Sequence, residues 1–140
     1  MTTAAEKGEN SDPQVPGALR GWFVLHFVAD IVFALPLLVA PAWLLGLFGW
    51  EVIDPFTARL VGAALVGIGV ESLLGRNASA ASFLTMLRLK ILWSATATLA
   101  ILVSMLEGAP LLGWVIFAIF AAFHLLWVYW FFRLRRITAR

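Results

Sequence analysis

Four runs of about twenty apolar residues, each closed by proline, glycine or charge, decide what this chain can fold into, because a run of that length matches the hydrocarbon core of a bilayer. The runs are Gly21 to Ala40, Pro55 to Leu74, Phe83 to Leu106 and Pro110 to Phe132. A chain of 140 residues that is 62% hydrophobic and 13% charged has too little polar surface to cover so much apolar area in water. The expected class is therefore all-α: a polytopic membrane protein built as an antiparallel four-transmembrane-helix bundle.

Local signals support these limits. Asp54-Pro55 supplies an N-cap and a proline at the first helical position. Gly75 can close the second span, and Ser82 can cap the third. Glu107-Gly108-Ala109-Pro110 reads as a tight hairpin. The segment Pro41 to Trp50, PAWLLGLFGW, is too short to cross again, so it is expected as a short interfacial helix after the first span. Residues 1–18 read as a disordered cytoplasmic tail, 19–136 as the transmembrane domain and 137–140 as a basic C-terminal tail. Ala40-Pro41-Ala42 mimics a signal-peptide cleavage site, but the apolar run before it is too long and contains His26 and Asp30.

Orientation follows from basic residues. Lys7, Arg20, Arg76, Arg133, Arg135, Arg136 and Arg140 fall on one side, and Arg59 alone on the other, which places both termini in the cytoplasm and the protein in the cell membrane. The absence of cysteine removes disulfides and thiolate metal sites from consideration. A net charge of +2 with basic residues at helix ends is a topology signal and gives no reason to expect nucleic acid.

Five of the ionisable residues inside the spans gather at one level. Counted at about 1.5 Å per residue from the cytoplasmic end, Glu71 lies roughly 6 Å deep, His26 and Arg88 roughly 9 Å, His124 roughly 12 Å and Asp30 roughly 15 Å. All four helices thus bring charge to one level, and intramembrane charge points to function with a named partner. His26 and Asp30 share a face at i,i+4. Glu71 is expected to pair with Arg88 across a short loop, as a structural ion pair holding helices two and three in register. Lys90, about 200° around the helix from Arg88, is expected to snorkel to the headgroups. The row Ala63, Gly67, Glu71, a second small pair in Ala58 and Gly62, and the slim Gly69 mark the second span as the most closely packed. Arg59 is placed to bond carbonyls at the end of span one or to reach lipid phosphates. On the fourth span, Phe117, Phe120, Ala121, Trp127 and Phe131 form a stripe that faces lipid or fills the core.

No catalytic motif, Gly-rich phosphate loop or metal-type histidine spacing accompanies these residues, so no cofactor and no metal are expected. The reading favoured is a non-enzymatic scaffold, accessory subunit or binder of a lipid or small molecule. The alternatives are a proton-coupled transporter using Asp30 and Glu71 and, less favoured, a haem protein ligated by His26 and His124. Partners expected besides the bilayer are further copies of the chain or a larger membrane complex.

The run P-A-W-L-L-G-L-F-G-W followed by T-A-R-L-V-G-A-A-L-V-G, with Pro41, Arg59 and Gly62 as its markers, resembles a pattern in small four-helix bacterial membrane proteins of the DoxX-like type. That resemblance implies the four-helix layout over nearly the whole chain and a bacterial inner membrane. It carries no catalytic residues.

Overall fold

A computed structural model describes residues 14–139, so the first thirteen residues of the expected tail, and Arg140, lie outside it. Five helices follow in order: α1 (Gly17–Val39), α2 (Pro41–Leu47), α3 (Pro55–Leu74), α4 (Ala80–Leu106) and α5 (Gly113–Thr138), with a single 3-10 turn at Gly75–Asn77. The four long ones are apolar and long enough to cross a membrane. α1 begins before the expected Gly21, with Val15 ahead of it already buried, and α5 runs past Phe132 into the segment expected as tail.

The caps account for most of the boundaries. Asp54 accepts from the backbone amides of Phe56 and Thr57 at 3.0 and 3.2 Å and from the Thr57 hydroxyl, fixing the first turn of α3. The Thr57 hydroxyl, with those two amides, holds the exposed Asp54 carboxyl below the ordinary aspartate value. Gly75 caps α3 as expected. At α4 the cap is Ser79, whose hydroxyl accepts from the Ser82 amide at 3.3 Å, so the expected Ser82 is the residue being capped. Gly108, at φ +96°, turns the chain out of α4, and Pro110 lies in the turn before α5, its carbonyl accepting from the Gly113 amide at 2.8 Å. Arg59 Nε reaches the Leu38 carbonyl at 3.1 Å, satisfying an orphan acceptor at the end of α1.

The helices pack as two antiparallel pairs, α1 along α3 and α4 along α5. At the end of the bundle holding Gly17 and Thr138, one cluster joins the pairs: Leu19 and Phe23 of α1, Phe83 and Leu87 of α4, and Trp127 and Leu134 of α5. Toward the other end, Ala34, Leu37, Ala58 and Leu65 seal α1 against α3, with Leu44 and Leu45 of α2 packed on them. The faces turned outward are as apolar as the core. Leu92, Leu99 and Leu125 are each more than 60% exposed in mid-span, an arrangement that needs lipid as its solvent. The chain is a multi-pass membrane protein.

The packing face of α3 includes the expected Ala58, Gly62 and Gly69 but not the expected row Ala63, Gly67, Glu71. Ala58, Gly62, Leu65, Gly69 and Ser72 are its buried residues, spaced 4-3-4-3, whereas Ala63 and Gly67 are exposed and a Cβ on Gly67 would meet nothing within 4 Å. Gly62 and Gly69 are where α1 comes close. A Cβ at Gly62 would lie 3.1 Å from Leu37 Cβ, and one at Gly69 only 2.8 Å from Asp30 Cβ.

Candidate functional site

The same 4-3 spacing places the polar side chains. On α1 the buried residues Leu19, Phe23, His26, Asp30, Ala34 and Leu37 form one stripe, so His26 and Asp30 must face the bundle interior. On α4 the stripe runs Phe83, Leu87, Lys90, Ser94 and turns Lys90 inward, leaving it 4% exposed. Arg88 points outward, its guanidinium 6.0 Å from the Phe131 ring, and Glu71 is exposed on α3. The expected Glu71–Arg88 pair is therefore absent among the described residues, and the residue expected to snorkel is the cation buried inside. The physical reason is angular: α3 turns Ser72, not Glu71, toward α4.

Lys90 Nζ donates to Ser72 Oγ at 2.6 Å, and Ser72 Oγ in turn donates to the Ile68 carbonyl at 2.7 Å. The ammonium also lies 3.3 Å from His26 Nδ1 and sits 5.0 and 5.1 Å from the ring centres of Phe23 and Trp127. Two aromatic faces at such range hold a desolvated cation by its attraction to their π-density. His26 Nδ1 lies 2.8 Å from Asp30 Oδ2, and its ring is packed edge-on against Phe123 and Trp127. One nitrogen cannot serve both neighbours. Protonated, Nδ1 faces Asp30 and cannot accept from Lys90; unprotonated, it accepts from Lys90 and presents a lone pair to Asp30. The Asp30 contact is close but not aligned as a hydrogen bond, and the buried Oδ2 has no hydrogen-bond donor among the described residues.

Asp30 fits here only because α3 carries no side chain at Gly69. His124 belongs to a neighbouring contact, its Nδ1 3.0 Å from Ser94 Oγ. The structure thus brings together His26 and Asp30 with two residues the sequence reading left out as partners, Lys90 and Ser72. His124 stands beside them through Ser94.

Above this cluster the bundle is hollow. A cavity of about 600 Å³ opens between the helix pairs, and its wall includes Asp30, His26, Lys90 and Ser94. The rest is largely apolar: Phe33 and Leu37 of α1, Leu44 and Leu45 of α2, Trp93 of α4, and Phe120 and Phe123 of α5. Such a volume lies within the ~300–1,000 Å³ usual for small-molecule sites, and an apolar wall with a few convergent polar groups is their usual chemistry. The aromatic stripe of α5 divides accordingly: Trp127 is fully buried against Lys90, and Phe120 lines the hollow.

Fold and site define a multi-pass helical membrane protein whose bundle holds a partly open apolar chamber ending on buried charge. Comparison with protein-family models, curated proteins and solved structures finds no match to this chain.

Proposed function

We propose that the protein binds a small amphiphilic molecule inside the membrane, its apolar body in the chamber and its polar head against Lys90, His26 and Asp30. The observation that carries this reading is the coincidence of a 600 Å³ apolar hollow with charged side chains at one of its boundaries. A scaffold needs no interior space, and close-packed interiors leave few voids larger than a water molecule. Carrying charge into the bilayer is costly, which favours a role for Lys90 and Asp30 beyond filling space.

In this reading the termini face the cytoplasm, and α2 covers the chamber from the opposite side of the membrane. The likeness to DoxX-like proteins extends the proposal to a bacterial inner membrane.

Native mass spectrometry of protein released from mild detergent tests the binding. The expected spectrum carries a stoichiometric added mass, lost in Ala29→Phe, which fills the chamber from α1 while helicity and thermal midpoint stay close to wild type. A spectrum showing bare protein at all activation energies, unchanged by Ala29→Phe, would sink the reading.

A further inference from the structure

The chemistry of the bound head can be taken further, on the premise that the chamber is a binding site. An ammonium has three N–H donors, and a carboxylate has two oxygens with about four lone-pair positions. Lys90 spends one donor on Ser72 and has at most one other acceptor, His26 Nδ1. Asp30 has at most one donor, the same His26 nitrogen. Because that nitrogen serves only one of them at a time, either tautomer leaves at least one Lys90 N–H and at least one Asp30 oxygen without a partner among the described residues. The Phe23 and Trp127 rings steady the charge without taking a full hydrogen bond.

Both residues are more than nine-tenths buried, and both line the chamber. Unmet donors and acceptors are expensive in such a place. No carboxylate lies within 4 Å of Lys90 among the described residues, so the two opposite charges stand apart with His26 between them.

We infer that the chamber selects a neutral hydroxyl head, an alcohol or phenol on an apolar body. One hydroxyl oxygen accepts from Lys90 while its proton goes to Asp30, so a single group satisfies both. A carboxylate head would gain Lys90 but meet the Asp30 charge. A methyl ether would accept from Lys90 and leave Asp30 unmet.

The test is a matched series of three probes sharing one apolar body: a hydrophobic phenol, its methyl ether and the corresponding carboxylic acid. Each is titrated against the full chain in lipid nanodiscs, with tryptophan fluorescence as the readout, since Trp50, Trp93 and Trp127 line the chamber. The phenol is expected to bind about tenfold or more tightly than the ether, the worth of one hydrogen bond to a charged group. It should also outbind the acid. Asp30→Asn is expected to bring the phenol-to-ether ratio toward one.

Equal binding of all three probes, tightest binding of the acid, or a ratio unmoved in Asp30→Asn would each overturn the hydroxyl assignment while leaving the chamber as a binding site. No saturable response to any probe would remove the chamber reading itself. The wild-type series decides the assignment even where Asp30→Asn does not fold.

Discussion

At the scale of single residues, the buried cation and its acceptor carry the clearest consequences. Ser72→Ala leaves Lys90 without its closest partner and is expected to cost about 1–3 kcal/mol. Lys90→Met removes the charge together with its demand for partners, and is expected to be neutral or stabilising while abolishing binding in the chamber. The two changes should couple: thermal denaturation of both single variants and the double variant in detergent should show the Ser72→Ala penalty vanish once Lys90 is gone. Additive effects would refute the contact. Glu71→Gln and Arg88→Gln, by contrast, break no ion pair among the described residues and are each expected to be neutral or stabilising in thermal denaturation, since both side chains turn outward and each change removes a charge from a span. That all four helices carry ionisable residues was legible in the sequence; the direction in which each side chain points was not. Counting along the helix gave Glu71 and Arg88 similar depths, and opposite charge suggested a pair. The stripe Ala58, Gly62, Leu65, Gly69, Ser72 held the missing signal. Its 4-3-4-3 spacing continues to a serine, and Phe83, Leu87, Lys90, Ser94 on α4 follow a matching rhythm.

At the scale of elements, α3 is a helix with one tight side and one loose side, and its glycines report which is which. Gly69→Ala drives a methyl into Asp30 and is expected to cost about 1–3 kcal/mol. Gly67→Ala, two residues earlier, meets nothing and is expected to gain up to about 1 kcal/mol from the lower backbone entropy of alanine. Equal thermal midpoints for the two variants would contradict the helix rotation described above. The start of α3 has its own titration. Because hydrogen bonds from Thr57 and Phe56 hold the folded Asp54 carboxyl below its unfolded value, its contribution is present above the unfolded value and is lost as pH falls through the folded one. Asp54→Asn, which cannot titrate, should show a flatter acid limb when the thermal midpoint is followed against pH. Helix limits such as Asp54-Pro55 were readable because caps and proline act locally. The Ser79 cap was missed because Ser79 and Ser82 both satisfy the local rule, and only the backbone path chooses between them.

At the scale of the whole molecule, four crossings put Gly17, Thr138 and the Gly75–Asn77 turn at one face of the membrane, with α2 and the α4–α5 turn at the other. A chain without cysteine gives a clean background for mapping this. Asn77→Cys is expected to react with an impermeant thiol reagent only after the cytoplasmic face is opened, and Glu107→Cys in intact cells. The reverse pattern would invert the proposed orientation. Sequence sufficed for the four-helix layout because lipid imposes it span by span. The chamber was invisible there, since it exists only between helices and no single helix carries its outline. That hollow also makes the two halves of the bundle unequal in compressibility. The end filled by Phe23, Phe83 and Trp127 is solid, whereas the chamber end holds space that hydrostatic pressure can squeeze out. Squeezing should therefore begin at the chamber end, and an occupant that fills the space should stiffen that half and raise the pressure at which the bundle comes apart.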